Sequence, residues 1–237
     1  LLSGIAVILS GSIASVSAAE RALPGDFLYP VKIAAEQTRL VFAADTSEKI
    51  RLKTQFVVRR VEEIKQLNEG DDEKKPERLK EATDSLKRDL DTVKNQLADG
   101  QGQGPVDRTR SAKLVDDTGT HVVASLKEIR TNTTITAEAR NQIAEAESAA
   151  VNTSMRAVQV ILETQSDTEA QKVVSREELL QSINAKVEGV ENHISDTAQQ
   201  LAQVVSTTTP PLILFTATTT SSTLPSILTG EVSTSSV

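Results

Sequence analysis

The chain has 237 residues but no cysteine and no tryptophan, and aromatic residues make up only 2% of it. Without cysteine it has no disulfide, no thiolate metal ligand and no cysteine nucleophile. Four of the five aromatic residues lie in the first quarter of the sequence. The rest of the core must therefore be built from leucine, valine, isoleucine and alanine, which suits closely packed helices better than a roomy ligand cavity.

Side chains that carry enzymatic or metal chemistry are also sparse. His121 and His193 have no histidine at i+4 and no glutamate three residues before them, so neither fits a helical zinc or di-iron motif. Residues 100–104 are glycine-rich but lack the lysine of a phosphate loop, and the sequence contains no G-x-S-x-G. We therefore expect no catalytic, cofactor-binding or metal-binding residue, no cofactor, no small-molecule substrate and no enzymatic activity.

The charge of the chain also argues against nucleic acid as a partner. The formal net charge is -7 at pH 7. Lysine and arginine alternate with glutamate and aspartate instead of forming the basic patch that phosphates require. We predict that the protein does not bind nucleic acid.

The first residues form an apolar run. Residues 1–19 carry no charged side chain, and a stretch of about 19 residues can just cross a hydrocarbon core of about 30 Å. Two interpretations stay open, because residues 1–20 can be a transmembrane helix or the apolar part of a signal peptide cleaved after Ala18 or Ala19. Both predict that the body is exported. Since the sequence starts at Leu1 and not at methionine, we also expect residues upstream.

The middle of the chain has the periodicity of amphipathic helices and no alternation of period two. It predicts an all-α fold, an elongated antiparallel bundle of about five or six helices. We predict caps at Asp45, Thr136 and Ser175, a helix end at Gly70 and a weakened fourth helix at Gly119. The last helix carries a near-heptad stripe typical of a coiled coil. That stripe consists of Leu180, Ile183, Val187, Val190, Ile194, Leu201 and Val204.

Composition divides the chain into five parts. After the apolar residues 1–20 come a first helical region and a second one, joined by a glycine-rich linker. A tail rich in serine, threonine and proline follows and is expected to be disordered. These four later parts are residues 21–99, 106–205, 100–105 for the linker and 206–237 for the tail. Whether the two helical regions form one bundle or two is left open by the sequence.

A motif links the apolar run to the first predicted helix. Its residues are Leu23, Pro24, Gly25, Asp26, Leu28, Tyr29, Pro30 and Lys32. Pro24 and Gly25 predict a tight turn, and Pro30 fits the first turn of a helix. We expect a structural role, in which Leu23, Phe27, Leu28 and Tyr29 cover the start of the bundle. We also expect Glu36, Arg39 and residues 59–63 to form ion pairs between the first two helices.

This L-P-G-D-x-L-Y-P-x-K motif resembles the bacterial family of unknown function DUF5667. Glu36, Arg39, residues 44–46 and residues 59–63 extend the resemblance, which covers residues 22–67. The resemblance implies an extracytoplasmic helical domain of a bacterial envelope protein, and some such proteins are encoded near sigma and anti-sigma factor genes. It brings no established catalytic residue to this chain.

Together these observations predict a non-catalytic bacterial envelope protein with an extracytoplasmic body. Residues 1–20 would hold it at the membrane, or it would be secreted if they are cleaved. Its helical faces would serve a structural role or bind a protein partner or a second copy. The alternative is the external sensor half of a transmembrane regulator such as an anti-sigma factor, which requires a cytoplasmic domain before Leu1.

Overall fold

The computed structural model describes residues 19–70, 73–100, 102–131 and 135–207, with side chains only partly described beyond residue 191. These residues form seven α-helices and no strand, which confirms the all-α class. The helices are α1 (Tyr29–Val41), α2 (Thr46–Glu69), α3 (Lys75–Asp99), α4 (Pro105–Thr131), α5 (Ala137–Thr164), α6 (Thr168–Val173) and α7 (Arg176–Thr207).

The predicted helix caps are confirmed. The Asp45 side chain accepts a hydrogen bond from the backbone of Glu48 at 2.8 Å, and the Thr136 hydroxyl accepts one from Ala139 at 3.1 Å. Ser175 caps α7 in the same way. Each of these bonds satisfies a backbone N–H that the first turn of a helix leaves without a partner. The short helix α6 was not predicted, because six residues are too few to show a helical period.

The central bundle consists of two helical hairpins stacked on each other. Helices α2 and α3 form one antiparallel hairpin, and α4 and α5 form the other. The stacking places α2 beside α4 and α3 beside α5, and the helices of each of these two pairs run in the same direction. Two apolar clusters fill the two ends of this bundle, and all four helices contribute to each of them.

The linker between the hairpins does not separate two cores. Because residues on both sides of it share both apolar clusters, the two helical regions form one bundle. Short loops usually join neighbouring antiparallel helices, but α3 and α4 lie diagonally and barely touch. Gly100 ends α3 with a φ of +54°, and Gly102 has a φ of +75°. Glycine adopts these values without strain, and they let the chain cross from one hairpin to the other.

Gly119 does not interrupt its helix, contrary to the sequence-based expectation. Helix α4 is continuous from Pro105 to Thr131, and Gly119 is buried against Ser154 of α5. A Cβ atom on Gly119 would lie 2.8 Å from the Cβ of Ser154. The missing side chain therefore allows α4 and α5 to approach closely.

Of the described part of the stripe predicted on the last helix, only Ile183 packs against the core. Leu179 of α7 is buried, whereas Leu180, Val187 and Val190 are exposed. The chain divides into two compact units, residues 1–192 and residues 193–237. The first unit holds the bundle and the start of α7, and the described part of the second unit is the helical end of α7.

The two ends of the sequence are largely outside the described residues. Residues 1–18 and 208–237 belong there, so the predictions of a membrane or signal helix and of a disordered tail stay predictions. Helix α7 runs to Thr207 and thus includes the first two residues assigned to the tail. Among the described helices, none combines the length and the apolar character that crossing a membrane requires.

Candidate functional site

Helix α1 lies on the bundle with its polar side facing inward. Its buried residues are Tyr29, Lys32 and Glu36. On the opposite side Val31 and Val41 are exposed. This arrangement reverses the usual one, in which a surface helix turns its apolar side to the core. It requires partners for the buried charges, and α2 and α3 supply them.

These buried charges form what we call the charge cluster. It consists of Lys32, Glu36, Lys53, Arg59, Arg60, Glu63 and Asp89. Arg60 is at its centre, because its guanidinium donates to the carboxylates of both Glu36 and Glu63. The Nζ atom of Lys32 lies 2.6 Å from Glu63, so this carboxylate binds two cations.

The remaining members connect the centre to its edges. Arg59 donates to Glu36 at 2.8 Å, and Lys53 donates to Asp89 of α3 at 2.7 Å. Asp89 also lies 3.7 Å from Nε of Arg60. The cluster therefore joins α1, α2 and α3 through side chains of opposite charge.

Burial makes the charge cluster interdependent. The side chain of Arg60 is 1% exposed, and those of Lys32 and Glu63 are 3% exposed. Burial raises the pKa of the Glu63 carboxyl, although Arg60 and Lys32 oppose the change. For Arg60, burial lowers the pKa, but the carboxylates of Glu63 and Glu36 outweigh it and the pKa rises. Because a buried charge without its partner is costly, removing one member destabilises the others.

Tyr29 adds a polar group and an aromatic ring to the cluster. Burial and the nearby Glu63 carboxylate raise the pKa of its phenol to about 12. The hydroxyl is therefore protonated at neutral pH, and it donates to Glu63 at 3.4 Å. The cations of Lys32 and Arg60 lie 5.9 and 5.7 Å from the ring centroid, within the range of a cation–π interaction.

The LPGD segment, residues 22–32, is fixed to the bundle beside this cluster. Lys32 donates to the backbone oxygen of Ala22 at 2.9 Å. The Asp26 carboxylate accepts from the backbone of Leu23 at 2.7 Å and from Arg78 of α3. Arg78 also donates to the backbone oxygen of Pro24. We call the contacts of Arg78 with this segment and of Lys32 with Glu63 the clamp.

The glycine of the motif is needed for the clamp. Gly25 has a φ of +86°, a value that side chains other than glycine rarely adopt. A Cβ atom at this position would lie 3.0 Å from Nε of Arg78. Glycine therefore serves both the turn and the close approach of the arginine.

The other motif residues differ in how far they are buried. Tyr29 is buried, and Leu23 packs against the larger apolar cluster. Leu28 is the residue before α1, and Pro30 lies in its first turn. The prediction that Phe27 covers the bundle is wrong, because its side chain is 93% exposed. The bundle holds the residues on either side of it and leaves this ring in solvent.

The predicted ion pairs between α1 and α2 are confirmed for Glu36 but not for Arg39. Glu36 pairs with Arg59 and Arg60. Arg39 instead pairs with Glu20 at 2.9 Å. Arg39 lies about one helical turn beyond Glu36, but its side chain pairs with Glu20, which precedes the motif, and not with α2.

The charge cluster leaves no room for a ligand. The space beside it, lined in part by Lys32, Glu36 and Arg59, measures about 10 Å³. That volume is at the lower limit for a single water molecule. The charged groups bind one another, so the arrangement connects helices and the start of the chain.

A second polar cluster connects α7 to the bundle. Asp116 of α4 is buried, and its carboxylate accepts hydrogen bonds from Ser154 of α5 and from Ser182 of α7 at 2.6 Å. Lys186 of α7 forms an ion pair with the same carboxylate at 2.5 Å. One buried carboxylate therefore holds three helices together.

The first histidine lies in an open cleft between α2 and α4. The cleft has a volume of about 230 Å³, and His121 lines it together with Glu62, Lys65 and Glu128. Within the described part of the chain, no three histidine, aspartate or glutamate side chains are placed to hold a metal ion. His193 belongs to the residues whose side chains are not described.

Sequence reasoning missed Lys53 and Asp89 of the charge cluster and Arg78 of the clamp, and of these Lys53 carried a signal. Lys53 and Arg60 lie seven residues apart in the stripe of α2 that also holds Phe56, Val57 and Ile64. Charged residues in an apolar stripe indicate buried ion pairs. Arg78 had no such signal, because it is 52 residues from Asp26 and its position on α3 matches that of an ordinary surface arginine.

These features define an all-helical bundle protein whose N-terminal segment is fixed to the bundle by buried charges. Residues 21–212 match the family described as a domain of unknown function, DUF5667, and the chain belongs to this family. The match continues far beyond residues 22–67, where the motif is recognisable, and includes the whole described bundle. Neither a curated protein nor a solved structure matches the chain.

Proposed function

We propose that this protein is a non-catalytic module of the bacterial cell envelope. Residues 1–20 tether it to the membrane or direct its export, and its extracytoplasmic helices have a structural or protein-interaction role. The observation that carries the proposal is the inverted orientation of α1, which buries Lys32 and Glu36 and exposes apolar side chains. Helix α1 is joined to the apolar run by the motif alone.

Large apolar side chains are exposed on α1 and next to both of its ends, beside the exposed polar residues Gln37 and Arg39. Phe27 is 93% exposed, and Val41 and Phe42 are 78% and 81% exposed. Thr38 lies on the same side, and its hydroxyl donates to the backbone oxygen of Ala34 at 2.8 Å. Large apolar side chains exposed together are costly in water but favourable at a membrane interface. We expect this side to contact the bilayer next to the tether.

The clamp supports the same proposal. A tether positions a folded body only if the chain between them is held in place. Arg78 and Glu63 hold residues 22–32 on α3 and α2, so the direction in which the chain leaves the bundle is set by the fold. We infer that the motif sets the direction in which the chain leaves the bundle, and that its acid Asp26, its base Lys32 and its turn at Gly25 act together in this role.

Fractionation with protease protection tests the location. In cells that express the full chain, we expect the body in the membrane fraction, or outside the cytoplasm if residues 1–20 are cleaved. Protease added to spheroplasts should digest it, because it lies on the outer side. Recovery of an intact body in the soluble cytoplasmic fraction would contradict the proposal.

Labelling at single cysteines tests the lipid contact. The natural chain has no cysteine, so Phe27→Cys and Phe42→Cys each provide one attachment point for a polarity-sensitive dye. Lys65→Cys is the control, because Lys65 is exposed on α2 away from α1. On membranes, the emission should shift to the blue at positions 27 and 42 but not at 65. Equal emission at all three would rule out the contact.

The clamp also favours a second candidate function, the external sensor half of a transmembrane regulator such as an anti-sigma factor. Because Asp26 is bound to α3 and Lys32 to α2, a rearrangement of these helices would shift the start of the chain. The residues encoded before Leu1 separate the two candidates. A helical sigma-binding domain there supports the regulator, and a short basic start with methionine supports the tethered or exported module.

A further inference from the structure

We propose that the cleft between α2 and α4 binds an arginine side chain that a protein partner presents. This inference deepens the interaction role proposed above, on which it rests, by naming the chemistry of the partner. Its observations are a buried acceptor without a donor, carboxylates without a cation, and two helix C-termini that meet at one end of the cleft.

One buried side chain of the cleft lacks a hydrogen-bond partner. Asn68, near the end of α2, lines the cleft and is only 6% exposed. Its Oδ1 atom accepts no hydrogen bond from any residue that the structure describes. Buried polar groups are nearly always paired, because an unpaired one is costly. This oxygen therefore requires a donor that the described part of the chain does not supply.

The charges of the cleft favour a cation as that donor. Glu62, Glu69 and Glu128 line it, against one lysine, Lys65, among the described residues. None of these four exposed side chains forms an ion pair with a described residue. The carboxylates and His121 are not placed to hold one metal ion together, as far as the described residues go. The cation that fits is therefore an organic one.

The fold adds a further attraction for positive charge. Helices α2 and α4 run in the same direction, and the cleft follows both into their last turns, to Glu69 of α2 and Ile129 of α4. The C-terminal end of a helix carries a partial negative charge that favours cations. Lys75 already uses this attraction, because its ammonium donates to the backbone oxygen of Gly70 at 3.2 Å. Two such ends side by side favour a cation in this part of the cleft.

Size and apolar lining favour arginine as the source of the cation. The volume of about 230 Å³ is below the range of about 300–1,000 Å³ for small-molecule pockets, so the cleft suits a single long side chain. Val58, Val61 and Ile129 line it and can cover the aliphatic part of such a chain. The guanidinium has five donors and is more weakly hydrated than an ammonium, so it can serve several separate acceptors at once.

An NMR titration of the purified full chain in detergent tests this inference. The probe is N-acetyl-arginine amide, which carries the side chain between two peptide groups. The control is N-acetyl-citrulline amide, in which a neutral urea replaces the guanidinium. The chain has two histidines, so the ring signals of His121 are identified by their loss in His121→Gln. Because His121 lines the cleft, we expect its signals to shift saturably with the arginine probe and to stay in place with the control.

Two double variants locate the binding site. Glu69→Gln with Glu128→Gln removes two charges from the cleft, and Glu177→Gln with Glu188→Gln removes two charges from α7. All four residues are exposed, so both variants should stay folded, which circular dichroism checks. The first should weaken binding of the probe about fivefold or more and the second less than about twofold, because only the first loses ion pairs with the guanidinium. Asn68→Ala should also weaken binding, because it removes the buried acceptor.

Each outcome of these experiments decides the matter. No shift of the His121 signals, an equal shift with citrulline, equal weakening in the two double variants, or undiminished binding by folded Asn68→Ala overturns the inference. A shift with spermidine, a free polyamine, but not with the arginine probe also overturns it and assigns the cleft to a free cation. Since the purified chain is tested, a failed fractionation would contradict the proposed location but leave this result unchanged.

Discussion

Two pairs of helices in this molecule are held together by opposite means. Helix α1 is attached to α2 by the charge cluster, with Arg60 between Glu36 and Glu63. Helix α4 is attached to α5 by small side chains, because Gly119 lies against Ser154 and alanines line the facing side of α5. One interface is stabilised by long side chains of opposite charge and the other by close approach of the backbones.

The difference teaches what each interface depends on. In the charge cluster every group has a specific partner, so the loss of one partner leaves a buried charge behind. At Gly119 of the α4–α5 interface the requirement is one of volume, because a Cβ there would lie 2.8 Å from the Cβ of Ser154. The first interface should therefore be sensitive to deletion of a side chain, and the second to addition of one.

The largest effect is expected when the charge cluster loses its most connected carboxylate. Glu63→Ala leaves Lys32 and Arg60 buried without this partner, and the free energy of unfolding should fall by about 3–5 kcal/mol. Glu62→Ala is the matched control, because Glu62 is next to Glu63 in the sequence but is exposed. This substitution should change the free energy of unfolding by less than about 0.5 kcal/mol. Urea denaturation measures both. Similar small losses in the two variants would show that the cluster contributes little.

A smaller effect is expected when a methyl group is added between α4 and α5. Gly119→Ala places its Cβ about where Ser154 already lies, and stability should fall by about 1–3 kcal/mol despite the better helix propensity of alanine. Gly189→Ala in α7 meets nothing within 4 Å and should raise stability by up to about 1 kcal/mol. Thermal unfolding of both variants gives the comparison. A stabilised Gly119→Ala would refute close approach of the two helices.

The smallest expected effect on stability at neutral pH concerns the ionisation of Tyr29. This ionisation is nevertheless the easiest of the three effects to observe. This residue is the sole tyrosine of a chain without tryptophan, so tyrosinate absorbance reports on it alone. Its pKa should be about 12 in the folded protein and about 10 in urea. Because the folded-state pKa is the higher one, the stability that Tyr29 contributes is complete below pH 10 and is lost as pH rises through 12. A folded-state midpoint near 10 would place the ring in solvent.

Much of the fold followed from local patterns in the sequence. The caps at Asp45 and Thr136 and the end of α2 at Gly70 depend on residues that are close in the chain, and they were predicted correctly. The pairing of Glu36 with residues 59 and 60 was also predicted, because the motif brings two neighbouring helices together. Capping and periodicity are short-range effects, so sequence reasoning reaches them.

What sequence reasoning missed depends on contacts between distant parts of the chain. The diagonal crossing between α3 and α4 is set by how two hairpins stack, and the short loop alone indicated neighbours. Gly119 looked like a helix breaker because its close contact, Ser154, is in another helix. The burial of Lys32 was not predicted for the same reason, since its partner Glu63 lies in another helix.

The position of Arg78 has a consequence for the order of folding. The residue that fixes the LPGD segment comes 52 residues after Asp26, so on the ribosome this segment waits for α3 before Arg78 can bind it. Closing this long loop also costs entropy that only a formed hairpin of α2 and α3 repays. The LPGD segment, although it is synthesised before α2 and α3, thus becomes ordered only once their hairpin has formed.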